Sequence, residues 1–153
     1  MFDRLIQGLL TLIVSTAEAP PLPSFTDADI RLMADVVCWE ARGEPFADQR
    51  DVAYVIRNRL ASGKYGRTVS DVIYQRNQFS GFFPGQRARE CLHHGDAYGR
   101  AVLAVLVGVH SDHWNHGATH FAVCRLGPNV FGPKFKLVRR HAGHCFYRQV
   151  SGG

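Results

Sequence analysis

Trp39-Glu40-Ala41-Arg42-Gly43-Glu44-Pro45 closes one helical pattern and opens another. Upstream, Ile30, Met33, Ala34, Val37 and Ala41 recur at helical spacing and mark a buried stripe. Thr26 is the predicted N-cap, with Asp27 and Asp29 in the first turn, where carboxylates favour the helix dipole. Gly43 is the expected stop. Pro45 disfavours helical geometry at Glu44 and can open the next helix. That helix is predicted to reach about residue 62, with Val52, Val55, Ile56 and Leu60 inward and Arg50, Arg57 and Arg59 more exposed.

Further along, residues 63–66 read as a turn and Thr68 as the cap of a short helix through Tyr74. Residues 77–94 have no clean period and hold Gly81, Pro84 and Gly85 among three phenylalanines, which reads as a functional, lid-like loop. Residues 96 to about 109 are apolar nearly all round, so a central helix is expected there. Short extended pieces follow at 119–124, 135–139 and 145–150. Helices first and a small sheet last make an α+β domain, mainly helical, with an antiparallel sheet near the C-terminus.

Bulk properties fit one domain. The 153 residues suffice for a single core, and 46% hydrophobic with 20% charged content argues against disorder. A formal charge of +5 tolerates anionic surroundings such as an acidic envelope polymer. Lys134, Lys136, Arg139 and Arg140 interleave with apolar residues and read as a solvated strand face, with a dedicated polyanion site as the alternative. No helix-turn-helix or aromatic RNA motif is present, so nucleic acid is not an expected partner.

Residues 1–25 form a separate region, an apolar run over 5–14 followed by the stiff linker Pro20-Pro21-Leu22-Pro23-Ser24, and residues 26–153 form the domain. Arg4 and Ala17-Glu18-Ala19 suit an export signal. Asp3, Gln7, Gly8 and Pro20 argue against one, and a helix over residues 1–19 docking on a phage virion or envelope partner is the alternative. The run is too short to span a bilayer.

The chemistry centres on Glu40. It lies about 80° round the helix from Ile30, at the border of the apolar stripe and in the last turn. The negative end of the helix and burial beside Trp39 and Val37 both disfavour its charged form. A carboxyl kept protonated in this way suits a general acid. The plain alternative is a surface glutamate paired with Arg42 or Arg59. Glu44, one turn on, is either a second carboxylate or a cap for the helix at Pro45.

The histidines His110, His113, His116, His120, His141 and His144 invite a zinc site and hence a zinc-dependent amidase or peptidase, but their spacing matches no metal signature. No metal and no cofactor is therefore expected. Four cysteines, Cys38, Cys91, Cys124 and Cys145, allow three pairings. Cys124 and Cys145 lie in strand-like segments that could face one another. Buried free thiols are the default for the others, and Cys38 as a nucleophile with a histidine partner is a weaker idea.

The opening motif continues through Val52-Ala53-Tyr54-Val55-Ile56-Arg57-Asn58-Arg59-Leu60, then Gln78-Phe79-Ser80, Ala118-Thr119-His120-Phe121 and Gly143-His144-Cys145-Phe146-Tyr147. Together these resemble the SleB/CwlJ cell wall hydrolases over residues 30–147. The resemblance implies a lysozyme-like or lytic-transglycosylase-like fold acting outside the cytoplasm, or in phage lysis, on peptidoglycan glycan strands. It places the catalytic acid on Glu40, and Glu44, Gln78, Phe79, Ser80, His120, Phe121 and His144 along the substrate cleft. Phe79, Phe82 and Phe83 are expected to stack on sugar faces. The chain departs from the family pattern at Gly81, at His141-Ala142-Gly143-His144, and in residues 127–132, which lack an expected tryptophan. A non-catalytic envelope or virion module that keeps the fold is the remaining alternative.

Overall fold

The computed structural model describes residues 24–79, 91, 93–111 and 116–150. The region 1–23, Ser80, Phe82, Phe83, His113 and most of the 77–94 loop lie outside the described residues. The described elements are helices α1 (Asp27–Ala41), α2 (Phe46–Ser62), α3 (Val69–Tyr74) and α4 (Gly95–His110), then strands β1 (His120–Val123), β2 (Phe135–Arg140) and β3 (His144–Gln149). The α+β expectation holds, and each strand falls within a residue or so of its expected place.

Local chemistry sets the helix starts. Thr26 and Asp29 form a reciprocal capping box on α1: the Asp29 N–H donates to the Thr26 hydroxyl, and the Thr26 N–H donates to the Asp29 carboxylate at 2.9 Å. Thr68 and Asp71 repeat it on α3. The end of α1 corrects the role given to Gly43. Arg42 is the C-cap in right-handed geometry, and Gly43 does not have a positive φ. The break comes instead from Pro45, whose φ of −54° and ψ of 153° make it the N-cap of α2. Gly63, by contrast, does end α2 in the left-handed conformation, with φ 63°.

The core lies between α1, α2 and α4. Ala101, Ala104, Val105, Gly108 and Val109 form the buried face of α4. Gly108 permits a close approach to α2, since a Cβ there would sit 3.1 Å from the Ala53 Cβ. The opposite face is open: Leu103 is 53% and Leu106 39% exposed. A helix buried on all sides was expected, so this is a correction. Two helices cover one side of α4, and no described element covers the other.

The sheet has the order β1-β3-β2, with both pairs antiparallel and a register irregularity between Leu137 and Arg139. Disulfides Cys38–Cys91 and Cys124–Cys145 leave no free cysteine. The second was among the open pairings. The first replaces the buried thiols expected at Cys38 and Cys91 and removes Cys38 as a nucleophile. Among the described residues no helix is long and apolar enough to cross a membrane.

Arg57 and Arg59, expected on the surface, are buried; Arg57 is 0% exposed. Long-range hydrogen bonding explains this. Arg57 Nη1 donates to the carbonyls of Gly108 (3.1 Å) and Ser111 (2.7 Å), which the end of α4 leaves without helical partners. Asn58 donates to Ala118 O at 2.7 Å and Arg59 Nε to Thr119 O at 2.6 Å. Three successive residues of α2 thus fasten the chain from the end of α4 to the start of β1.

Candidate active site

Glu40 comes from the last turn of α1, and its helix ends there because of Pro45. It stands on the wall of a cleft of about 530 Å³ lined by Arg59, Gln78, His120, Phe121 and His144, with Leu126 and Val130 on the rim. All four residues of β1, an edge strand of the sheet, line this cleft together with His144 from β3.

The Glu40 carboxyl is half-buried, and its Oε1 is buried with no hydrogen-bond partner among the described residues. Burial pushes its pKa up to about 7, and the nearby charge of His144 holds the rise in check. Neither Arg42 nor Arg59 forms an ion pair with it among the described residues, so the surface-pair alternative does not describe its setting. Arg59 is instead committed to Thr119, and lies over the rings of Phe79 (5.0 Å) and Tyr65 (5.2 Å). Burial lowers the Arg59 pKa to about 10, which leaves a cation on the cleft wall at neutral pH.

Two histidines face the cleft in different surroundings. His120 is packed against Phe135 (4.5 Å) and Phe131 (5.1 Å), and burial, with the Arg59 charge, lowers its pKa to about 4. It is neutral at pH 7. Burial acts on His144 in the same direction, but a hydrogen bond and charge from Asp48, with further negative charge from Glu44 and Glu40, outweigh it and raise its pKa. Its Nδ1 meets Asp48 Oδ1 at 2.9 Å, and its backbone N–H donates to Asp48 Oδ2 at 3.2 Å.

The other expected site residues divide. Gln78 and Phe121 line the cleft. Phe79 is only 6% exposed, lodged among Phe121, Arg59 and the core, so the sugar-stacking role expected of it is corrected to a packing one. Glu44 does not line the cleft. Its carboxylate lies against Gly143, where any Cβ would overlap it, and its carbonyl accepts from Gln49 at 3.0 Å. Ser80 lies outside the described residues. Among the described residues no three His, Cys, Asp or Glu groups converge on a metal site: His141 is spent on Asp51 (2.8 Å) and His144 on Asp48.

Sequence reading missed Asp48 and the cleft role of Arg59. Asp48 lies 96 residues from His144, and no local pattern joins them. A buried acid in the first turn of a helix was the one available signal.

Residues 43–147 match the cell wall hydrolase family. This chain belongs to that family. The match begins at Gly43, three residues beyond Glu40. A spore cortex-lytic enzyme of Bacillus cereus is 44% identical over 62 residues, covering 40% of this chain and 24% of that protein. The chain thus matches about a quarter of the length of that relative. The crystal structure of the catalytic domain of the Bacillus cereus SleB protein superposes with a TM-score of 0.64 at 26% identity, covering 83% of this chain and 95% of that domain. The catalytic domain of the germination-specific lytic transglycosylase SleB from Bacillus anthracis gives 0.62 at 25% identity, covering 82% and 98%.

Proposed function

We propose that this domain cleaves peptidoglycan glycan strands between N-acetylmuramic acid and N-acetylglucosamine, with Glu40 as the single acid and base. The observation that carries this is a carboxyl shielded from solvent on one side and opening on the other into a groove, in a chain of the cell wall hydrolase family. Protonated Glu40 donates to the bridging oxygen as positive charge develops at the sugar carbon. Among the described residues lining the cleft there is no second carboxylate. That favours transglycosylation: ionised Glu40 recovers its proton from the sugar's 6-hydroxyl, whose oxygen closes a 1,6-anhydro ring, and no water is consumed. Both disulfides and the basic charge suit action outside the cytoplasm, on the bacterial envelope.

Glu40→Gln keeps the shape and removes the acidic proton. Lysis of purified peptidoglycan is expected to fall by at least ~10²-fold. Mass spectrometry of the wild-type digest is expected to find anhydro-muropeptides. Near-normal lysis by the variant would overturn the acid assignment and favour a non-catalytic module. Reducing ends without anhydro products would replace transglycosylation with hydrolysis.

A further inference from the structure

We infer that Asp48 and His144 act as a pair that holds a fixed imidazolium beside Glu40 and so governs how readily that carboxyl releases and regains its proton. The inference rests on the reading of Glu40 as the acid, and it assigns Asp48 a positioning role.

The geometry is specific. Asp48 is fully buried in the first turn of α2, and both of its oxygens are engaged by one residue, through the backbone N–H and Nδ1 of His144. A buried carboxylate is costly unless a charged partner answers it, and His144 is that partner. The Nδ1 contact fixes which ring nitrogen faces Asp48. Phe121 stands edge-on to the imidazole at 5.3 Å and 89°, and Phe146 lies 6.4 Å away at 69°, so the ring plane is held as well. Nε2 is left without a hydrogen-bond partner among the described residues, on a residue that lines the cleft with Glu40.

The charged groups around this imidazole are Asp48 from α2, Glu44 from the α1–α2 corner and Glu40 from α1; β1 and β3 present Phe121 and Phe146. Three carboxyl groups on one cation favour its protonated form. That cation in turn opposes the rise that burial imposes on Glu40. The consequence is kinetic. Once Glu40 has protonated the leaving oxygen it is a carboxylate in a poorly solvated site, and the imidazolium stabilises it there until the 6-hydroxyl returns a proton. Neither Asp48 nor His144 exchanges a proton with the sugar in this scheme.

The test is the pH profile of kcat and kcat/KM on purified glycan strands for Asp48→Asn and His144→Gln. Losing the cation removes an influence that lowers the Glu40 pKa. The alkaline limb is therefore expected to move up by about one pH unit, while kcat at pH 6 falls about tenfold and KM changes little. A purely structural role would lower the melting temperature and the active fraction but leave the limb in place, and that result overturns the inference. If neither variant folds, nitrogen NMR of the wild-type His144 ring decides: both nitrogens protonated at pH 7 supports the pair, and a neutral ring at pH 6 sinks it. Glu40→Gln, run alongside, separates the two failures. An active Glu40→Gln removes the functional reading itself, whereas an inactive one with an unmoved limb in Asp48→Asn removes only the pair.

Discussion

Helix α2 buries charge at both ends, and it does so with opposite consequences. Its C-terminal turns hold Arg57, Asn58 and Arg59, which donate to main-chain carbonyls of Gly108, Ser111, Ala118 and Thr119. Its first turns hold Asp48 and Asp51, which accept from His144, and from His141, Arg139 and Arg50. Both ends obey one rule, that a buried charge needs a partner. The partners differ. Carbonyls do not titrate, so the C-terminal end is a fastener. An imidazole can gain or lose a proton, so the N-terminal end can couple the fold to protons.

The largest expected effect is at the fastener. Arg57→Ala removes a side chain that is entirely buried, leaves a cavity, and strips the donor from two carbonyls at the end of α4. The combined loss is expected to be about 3–5 kcal/mol in urea denaturation. Lysis per folded molecule at low temperature should stay within about threefold of wild type. A folded but inactive variant would show that the C-terminal end also shapes the chemistry, and the division of labour would fail.

A smaller effect is expected at Glu40, the group that the N-terminal end faces. Its folded pKa, about 7, lies above the ordinary 4.5, so the folded state holds the proton more tightly than the unfolded chain. That contribution is fully present below about pH 4.5 and is lost as pH rises through 7. Glu40→Gln cannot titrate, and so should gain stability relative to wild type across this window. The full shift corresponds to about 3 kcal/mol. Because one side of the carboxyl opens to water, about 1–2 kcal/mol is the realistic gain. Wild-type kcat/KM should decline over the same range above pH 7, as the acid form is depleted. Melting curves of the two proteins that stay parallel from pH 4.5 to 8 would contradict the burial assigned to Glu40.

This contrast also explains what could be read from the sequence. The boundaries of α1, α2 and α3 were legible because Thr26, Pro45, Gly63 and Thr68 act within a few residues of themselves. The partly buried setting of Glu40 was legible because helix position and the neighbouring stripe fix its surroundings. The buried arginines were not: they look like surface charges until the end of α4, some 50 residues away, supplies the carbonyls they answer. Likewise the Cys38–Cys91 bridge and the Asp48–His144 pair join segments with no shared local pattern. The exposed face of α4 was misjudged for a related reason, since an apolar helix does not reveal how many neighbours will cover it.

The smallest expected effect tests whether the N-terminal end is redundant where the C-terminal end is not. Asp51 is fully buried and is met by Arg139 Nε at 2.8 Å, His141 Nε2 at 2.8 Å and Arg50 Nη2 at 3.2 Å. Arg139 is partly exposed, and removing it still leaves two cationic or hydrogen-bonding partners on the carboxylate. Arg139→Ala should therefore cost only about 0.5–1 kcal/mol, less at high salt. Arg57, by contrast, is itself the donor to both the Gly108 and the Ser111 carbonyls. A loss above about 2 kcal/mol in Arg139→Ala would mean that Asp51 depends on a single partner, and the two ends of α2 would then be fasteners of one kind.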